Sequence, residues 1–363
     1  MGQRPRAVEK VILDKTFWAK RRVLLTGHTG FKGAWAARWL SRLGADITGY
    51  SLPPEGEPNL FSLLGPGMRL KSHLADLRDE KSLRQAVAEA DPEIVIHMAA
   101  QALVPRSYRL PVETWSVNVL GTIMLLDALV RRPALKAVIV VTSDKVYAND
   151  GTHGNSGFVE SDRLGGDDPY SASKAACELA VSAWRASFAQ SGPPVATVRA
   201  GNVIGGGDWA EDRLIPDFVR AMAARRALEL RQPKSVRPWQ HVLDPVAGYL
   251  LLAEHLATGK KLPFAFNFGP SGQELRTTLE LVERLYAAFQ RKPDWRHVAQ
   301  PGIGEKKTLI LDAGLAQKTL GWRPRLSIDQ AIDWTVEWYA AHSAGSPMAA
   351  ITDAQIARYE SLA

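Results

Sequence analysis

The 363-residue chain has an ordinary globular composition, 46% hydrophobic and 23% charged, so it is long enough for a large core and two domains. Its formal charge of +7 is scattered in basic pairs, which favours a solvated surface over a nucleic-acid-binding stripe. The single Cys177 excludes an intrachain disulfide, and the short apolar runs exclude a signal peptide or a membrane span, so we expect a soluble, cytoplasmic protein.

From residue 22 onward, short β-rich runs alternate with segments whose apolar residues recur at helical spacing. Strands alternating with helices are typical of βαβ units and of a parallel sheet covered on both faces. The predicted strands are 23–26, 46–50, 94–98, 137–142, 195–200 and 264–268, and the predicted helices include 34–43, 83–89, 122–130 and 244–256.

A glycine-rich loop follows the first predicted strand and precedes a helix, with the spacing G-x-x-G-x-x-G over residues 27–33. Glycine is required where the chain turns sharply and where backbone approaches a pyrophosphate, and the helix N-terminus adds free N–H groups. In this position the loop predicts a dinucleotide site. Its candidate cofactor-binding residues are Gly27, His28, Thr29, Gly30, Phe31, Lys32 and Gly33.

The end of the second strand does not decide between NAD and NADP. It reads Gly49-Tyr50-Ser51, without the acid that usually holds the adenosine ribose and without an arginine for a 2′-phosphate. Asp76, after the third strand, is a candidate contact to the adenine amino group. The alternative is a loop aspartate that begins a turn.

These features predict an α/β fold, a Rossmann-type doubly wound parallel sheet with a smaller mixed α/β C-terminal lobe. After an N-terminal leader at 1–20, the NAD-binding Rossmann domain comprises 21–200, with 238–270 returning to it. The substrate-binding lobe comprises 201–237 and 271–345, and 346–363 form a C-terminal tail.

Tyr170 and Lys174 lie four residues apart on a predicted helix that Asp168 caps, so they share one face. A nearby ammonium favours the phenolate and is expected to bring the tyrosine pKa toward the working range of a base. The alternative is an ordinary exposed pair, since Y-x-x-x-K also occurs by chance.

The fifth predicted strand ends in Ser143-Asp144-Lys145, which places a hydroxyl, a carboxylate and an amine in a row at the carboxyl edge of the sheet. In doubly wound sheets ligands bind at this edge. The alternative is a polar strand exit of the kind found in any α/β protein. The proximity expected for Tyr170 favours a catalytic role.

Together these motifs resemble the extended short-chain dehydrogenase/reductase family over nearly all of residues 20–340. The segments that carry the resemblance are 27–33 (GHTGFKG), 97–101 (HMAAQ), 142–145 (TSDK), 168–174 (DPYSASK), 199–209 (RAGNVIGGGDW) and 237–242 (RPWQHV). Within that family the likeness is to members that dehydrate CDP-glucose. The resemblance therefore implies bound NAD, a nucleotide-sugar substrate and a homo-oligomer, a dimer or tetramer, without nucleic-acid or membrane partners.

The resemblance also implies roles for individual residues. Tyr170, helped by Lys174 and Ser143, takes the C4 hydroxyl proton, and Asp144 protonates the departing C6 hydroxyl. Lys145 stands where related dehydratases carry a glutamate base, and acts either as that base or as a charge that orients Asp144 or stabilises the enolate. Further implied cofactor contacts are Leu77, Ala99, Ala100, Gln101, Asn118, Thr142, Tyr170 and Lys174, and implied substrate contacts are Gln101, Ser143, Asn202, Arg213, Arg237 and His241.

Several other readings stay open on the sequence. A nucleotide-sugar 4-epimerase would use the same Tyr170 and Lys174 but needs no acid and base for elimination, so Asp144 and Lys145 speak against it. A dehydratase for another nucleoside diphosphate hexose, and a non-catalytic NAD-sensing scaffold, are further alternatives. The eight histidines show no metal-ligand spacing, and His97 is expected to end a buried strand.

Overall fold

The computed structural model describes residues 13–151, 156–188, 192–270, 275–298 and 308–362. Its strands are β1 Arg22–Thr26, β2 Asp46–Ser51, β3 Leu70–Leu74, β4 Ile94–His97, β5 Ala137–Val141, β6 Val195–Ala200, β7 Val203–Ile204, β8 Leu228–Leu230, β9 Val236–Arg237, β10 Gln240–His241, β11 Ala265–Phe268, β12 Arg276–Thr277 and β13 Trp295–His297. Its α-helices are α1 Lys15–Trp18, α2 Phe31–Arg42, α3 Leu60–Leu64, α4 Glu80–Ala90, α5 Val104–Arg109, α6 Pro111–Trp115, α7 Gly121–Ala128, α8 Pro169–Phe188, α9 Leu214–Ala223, α10 Leu243–Ala257, α11 Thr278–Ala288, α12 Gly314–Leu320, α13 Ile328–Ser343 and α14 Met348–Ser361.

Seven strands form one parallel sheet in the order β3-β2-β1-β4-β5-β6-β11. Chain order reverses between β1 and β4, which is the switch point where ligands bind in doubly wound sheets. The predicted α/β fold class is therefore confirmed. Each of the six predicted strands agrees with an observed strand to within one residue at either end.

Alternating side chains of the strands supply two cores, one on each face of the sheet. Val23 and Leu25 of β1 belong to the larger core, together with Trp35 and Trp39 of α2. Leu24 faces the other way and packs in the smaller core with residues of α4 and α7. Since both faces are covered, β1, β4 and β5 are almost wholly apolar, as parallel strands are.

The second half adds a lobe of short strand pairs, β7–β10, β9–β12 and β8–β13, with α9 and α11. The segment predicted as a C-terminal tail contains α14, which packs against α2, α3 and α13. Arg38 and Asp353 form an ion pair between α2 and α14 at 2.5 Å.

At the start of the described chain, Trp18 of α1 is fully buried and donates to Glu254 at 2.5 Å. The greater part of the predicted leader, residues 1–12, lies outside the described residues. Within the ranges that the structure describes, no helix is long and apolar enough to cross a bilayer.

Candidate active site

The glycine loop after β1 is built around close backbone contacts. Gly27 has a φ of 75°, and a Cβ there would lie 2.7 Å from the amide nitrogen of Ala99 after β4. A Cβ on Gly33 would lie 2.0 Å from the Gly27 carbonyl oxygen. Both positions therefore require glycine. Gly30 is the N-cap of α2 and makes no side-chain capping bond, so the first N–H groups of the helix are available to an anion.

The side chains of the loop point in different directions. The fully buried His28 ring shares a hydrogen bond with Ser72 at 2.7 Å and leaves room for no side chain at Gly49, where a Cβ would meet the ring at 2.6 Å. Thr29 shares a hydrogen bond with Ser51 at 2.7 Å. The His28 side chain is thus directed at the sheet. Only the backbone of His28 is available for the predicted contact with a cofactor.

Lys32 instead extends toward the strand-five exit. Burial, together with the positive charges of Arg213 and Lys174, lowers the pKa of Lys32 to about 8, and the carboxylates of Asp144 and Asp208 oppose that shift. The sequence indicated Lys32 only as a member of the phosphate-binding loop. Its electrostatic contact with the catalytic candidates depends on side-chain direction, which the loop motif does not specify.

Asp76 and Leu77 follow β3 beside the loop. Asp76 makes an ion pair with Arg78 at 2.6 Å, and hydrogen bonds from Arg78 lower the pKa of Asp76. The Tyr50 hydroxyl donates to the Asp76 carbonyl oxygen at 2.8 Å. Leu77 is buried against Gly121. Asp76 is therefore a carboxylate held by a neighbouring arginine directly after β3.

Gln101 and Asn118 connect the segment after β4 to α8. Asn118 lies in a π-helical turn, Ser116–Leu120, a feature frequent at functional sites. Its side chain accepts from the Gln101 amide at 2.8 Å and donates to the Gln101 carbonyl at 3.0 Å and to Ser173 at 2.9 Å. Ala99 and Ala100 are half-buried beside this junction.

Tyr170 and Lys174 occupy successive turns of α8, and Asp168 caps the helix by accepting from the Ser171 amide at 2.9 Å. The Lys174 ammonium donates to the Val141 carbonyl oxygen of β5 at 3.1 Å. α8 packs against the turn that follows β5, and the Ser143 hydroxyl lowers the pKa of Tyr170, so the two segments meet at these side chains.

The expected acidification of the Tyr170 phenol does not occur in this structure. Burial raises the pKa of Tyr170 to about 12 and outweighs the lowering effects of Ser143 and Arg213. Burial also lowers the pKa of the Lys174 ammonium. The sequence-based expectation considered the charge of Lys174 but not the desolvation of a phenol that is only 7% exposed.

Ser143, Asp144 and Lys145 begin a short 3-10 turn, Asp144–Val146, directly after β5. The Ser143 hydroxyl donates to Asp144 Oδ1 at 3.0 Å and accepts from the Lys145 amide at 3.2 Å. Asp144 is 3% exposed, and burial raises the pKa of its carboxyl above the usual range. Its Oδ2 has no hydrogen-bond partner among the described residues. Asp144 is therefore a buried carboxyl group with one oxygen left unsatisfied by the described residues.

Two arginines predicted to bind substrate act electrostatically on Tyr170 and Asp144. Arg213 makes an ion pair with the buried Asp208 at 3.1 Å, and its charge acts on Tyr170. Arg237 is buried, and its charge lowers the pKa of Asp144. With Lys32, these side chains concentrate positive charge over the sheet edge. Such a donor set fits the diphosphates of NAD and of a sugar nucleotide.

Of the remaining predicted substrate contacts, Asn202 is half-buried, and its backbone carbonyl accepts from the Gln240 amide at 3.0 Å. His241 is not brought to the cleft. Its fully buried ring lies between Trp35 and Trp334 of the core, with centroid distances of 6.0 and 5.7 Å. A two-residue strand shows no periodicity, so the sequence could not indicate which way His241 points. Burial lowers the pKa of His241 to about 3.

Sequence reasoning missed Asp208, which holds Arg213, although it lies within the segment 199–209 that carries the family resemblance. The sequence signal for this ion pair was an aspartate five residues before the predicted Arg213. Across the described ranges, no group of three or more His, Cys, Asp and Glu side chains is placed to hold a metal ion.

Comparison with known proteins gives consistent matches. Residues 23–269 match the NAD dependent epimerase/dehydratase family. The chain is 42% identical over 357 residues to a CDP-glucose 4,6-dehydratase of Salmonella typhimurium, covering 96% of this chain and 99% of that protein. The structure of DesIV, a dTDP-glucose 4,6-dehydratase of Streptomyces venezuelae with NAD and TYD bound, is 27% identical, covers 90% and 99%, and has a TM-score of 0.77. A UDP-glucose-4-epimerase of Stenotrophomonas maltophila with bound NAD shares the fold at 22% identity, with coverage of 90% and 100% and a TM-score of 0.78.

Proposed function

The chain belongs to the NAD dependent epimerase/dehydratase family, and from that premise we propose that it is an NAD-dependent hydro-lyase that converts CDP-D-glucose to CDP-4-keto-6-deoxy-D-glucose and water. One observation carries the choice of reaction. The buried Asp144 carboxyl has a raised pKa and an unpartnered oxygen, and it lies beside the Tyr170–Ser143 contact. A 4-epimerase needs no such acid, whereas a dehydratase must protonate a leaving hydroxyl.

The residues of the cleft fit NAD. The two glycines that admit no Cβ and the open N-terminus of α2 suit its diphosphate, with Lys32 as a nearby cation. Gln101 and Asn118 order the wall between β4 and α8. When bound, NAD supplies the oxidation at C4 and the returning reduction at C6, with no net consumption.

Tyr170 acts first, by removing the proton of the sugar C4 hydroxyl. The Ser143 hydroxyl lowers the pKa of Tyr170, and Lys174 and Arg213 add positive charge nearby. Because burial alone raises the pKa of Tyr170 to about 12, the base depends on these neighbours and on the positive charge of the oxidised nicotinamide.

Elimination uses the strand-five exit. The C4 ketone acidifies the C5 proton, which a base removes, and the C5–C6 double bond forms as the C6 hydroxyl leaves. Asp144 donates its proton to that hydroxyl, so that water departs and the carboxylate remains. Lys145 serves either as the C5 base or as the ammonium that stabilises the enolate. C6 then receives hydride and C5 a proton, which completes the 4-keto-6-deoxy sugar.

Substrate recognition is assigned to Arg213 and Arg237, whose charges act on Tyr170 and Asp144. Arg237 and Arg213 suit the diphosphate because a guanidinium binds phosphate oxygens through paired donors. Asn202 and Gln101 are the further substrate contacts that the resemblance implies. The choice of CDP over other nucleotides is supported by the 42% identity to the Salmonella typhimurium enzyme, and a dehydratase of dTDP- or UDP-hexoses is the alternative.

We also propose a homo-oligomer that forms through α6 and α7. This surface, the α6–α7 patch, is defined by Val112, Trp115, Leu120 and Ile123, which are exposed although they are large and apolar. A contiguous exposed apolar patch is typical of a protein interface. A second copy of the chain is the occupant that the family resemblance implies, and cytoplasmic location remains a prediction of the sequence.

The proposed function is tested by incubating the protein with the CDP, dTDP, UDP and GDP derivatives of glucose, and GDP-mannose. The expected result is a product from CDP-glucose that is lighter by one water, with Tyr170→Phe inactive. An isomeric product of unchanged mass would indicate an epimerase. Absence of turnover with every nucleotide would favour a non-catalytic NAD-binding protein.

A further inference from the structure

A buried ion pair lies directly behind the strand-five exit. Glu178 of α8 and Arg199 of β6 have side chains that are each 4% exposed. Arg199 donates through Nε to Glu178 Oε1 and through Nη2 to Oε2, both at 2.9 Å. A paired geometry of this kind is rigid, because both carboxylate oxygens are held by a planar guanidinium.

Glu178 ties the catalytic helix to the start of the turn that carries Asp144. Tyr170, Lys174 and Glu178 recur every four residues, so they share one face of α8. The Thr142 hydroxyl donates to Glu178 Oε1 at 2.5 Å, and Lys174 donates to the Val141 carbonyl at 3.1 Å. Two successive residues at the end of the fifth strand are therefore bonded to the helix that carries Tyr170.

Arg199 fixes the other end of the same turn. Its Nη1 donates to the Tyr147 hydroxyl at 2.8 Å, and that hydroxyl donates to Asn267 Oδ1 at 2.7 Å. Tyr147 directly follows the turn Asp144–Val146. The turn is thus bracketed by Thr142 before it and Tyr147 after it, and both residues are bonded to one ion pair. We call Thr142, Tyr147, Glu178 and Arg199 the Glu178 cluster.

We propose that Glu178 and Arg199 are positioning residues that set the placement of Asp144 and Ser143 against the Tyr170 phenol. This inference rests on the proposed dehydratase function, since it concerns the acid of the elimination step. Glu178 and Arg199 bond to the side chains of Thr142 and Tyr147 on either side of the turn, and through them they act on its placement. Misplacement of a catalytic group by about 1 Å is enough to reduce a rate by about a hundredfold.

The Glu178 cluster also affects the protonation of Lys174 on α8. The Glu178 carboxylate raises the pKa of Lys174 and opposes the lowering caused by burial. Glu178→Gln removes that support, so the Lys174 ammonium loses its proton at a lower pH. Formation of reduced nicotinamide on mixing with CDP-glucose, the step that depends on Lys174, should therefore decline at a lower pH in Glu178→Gln than in wild type, a change that loss of packing alone does not produce.

Two threonines on neighbouring strands provide a matched pair of variants. Thr142 donates to Glu178 Oε1 and Thr197 donates to Glu178 Oε2 at 2.6 Å, and both are buried. Replacement by valine is nearly isosteric and removes one hydroxyl bonded to the same carboxylate in each case. Thr142 precedes Ser143, whereas Thr197 lies in mid-strand on β6. Both variants lose one buried hydrogen bond to Glu178, but only Thr142 adjoins the turn. A lower kcat in Thr142→Val alone therefore reports the positioning of the turn.

The experiment measures kcat and KM for CDP-glucose, melting temperature and bound NAD content in both variants. We expect Thr142→Val to lower kcat by about tenfold to a hundredfold at unchanged KM, with a melting temperature equal to that of Thr197→Val. Because Thr142 is also an implied cofactor contact, kcat is measured at saturating NAD, so that a lower NAD content does not contribute to the difference. Thr197→Val retains the wild-type kcat, and Thr142→Ser restores it. Equal kcat in the two valine variants would overturn the proposal.

Failure of the proposed function is recognised separately, because the wild-type protein would then not dehydrate CDP-glucose. In that case crystal structures of the two valine variants decide the positioning role. A displaced Ser143–Asp144 backbone in Thr142→Val alone supports it, and an unmoved turn contradicts it.

Discussion

Replacing Asp144 by asparagine tests the assigned acid with little change of shape. Asp144 Oδ1 accepts from the Ser143 hydroxyl at 3.0 Å, and an asparagine oxygen retains that bond. The new amide nitrogen takes the position of Oδ2, which has no partner among the described residues. The geometry is therefore preserved, whereas the transferable proton is lost.

The magnitude follows from the role of the proton. General acid catalysis contributes about 10²- to 10⁴-fold, so the variant is expected to lose about 3–5 kcal/mol of transition-state stabilisation in the elimination step. Oxidation at C4 depends on Tyr170 and Lys174 and should continue. Reduced nicotinamide should therefore accumulate in Asp144→Asn after mixing with CDP-glucose, while release of the 4-keto-6-deoxy product becomes slow.

The pH dependence gives a second readout. Asp144 donates a proton only when protonated, and burial raises its pKa, so wild-type kcat should fall as pH rises through that pKa. Asp144→Asn lacks this limb. The control is Asp244→Asn, since Asp244 is also buried with a raised pKa but bonds to Tyr359 and the Arg325 backbone, away from the cleft. Full turnover by Asp144→Asn, or an equal loss in the control, would refute the reasoning.

Three further predictions concern the base, stability and assembly. Lys145→Gln should still show reduced nicotinamide with CDP-glucose but fail to eliminate water, and full turnover in that variant would remove Lys145 from the chemistry. Burial raises the pKa of Asp244 from 3.8 to about 7, so the native state binds the extra proton and the free energy of unfolding falls as pH rises to about 7. Urea titrations should show that the free energy of unfolding falls between pH 5 and pH 8 by about 3 kcal/mol more in wild type than in Asp244→Asn. An equal fall in the two proteins would contradict this prediction. Leu120→Lys in the α6–α7 patch should lower the mass measured by sedimentation equilibrium to that of one chain. The control is Leu74→Lys on β3, which is equally exposed and should leave the mass unchanged. An unchanged mass in Leu120→Lys would exclude this patch as the interface.

Much of the fold was predictable because a parallel sheet buried on both faces demands apolar strands. The strands around β1, β4 and β5 are therefore evident as short apolar runs bounded by turns. Helix starts were less predictable. α2 begins at Phe31, three residues before the predicted start, because its first turn belongs to the glycine loop and shows no apolar periodicity.

The motifs that make up the candidate site were predictable from the sequence, and its electrostatics were less so. Motifs identified Tyr170, Lys174 and the strand-five exit, and the family resemblance is confirmed by the match over residues 23–269. The sequence did not indicate that burial raises the pKa of Tyr170 or that His241 lies between core tryptophans. Both depend on which side chains surround a group after folding, and spacing along the chain does not specify that.

The most direct test of the account is the fate of a deuterium label placed at C4 of CDP-glucose. We expect a product lighter by one water that carries the deuterium at C6, located by nuclear magnetic resonance, because oxidation, elimination and reduction occur on one bound molecule. A product of unchanged mass with the label still at C4, or a dehydrated product without deuterium, would contradict it.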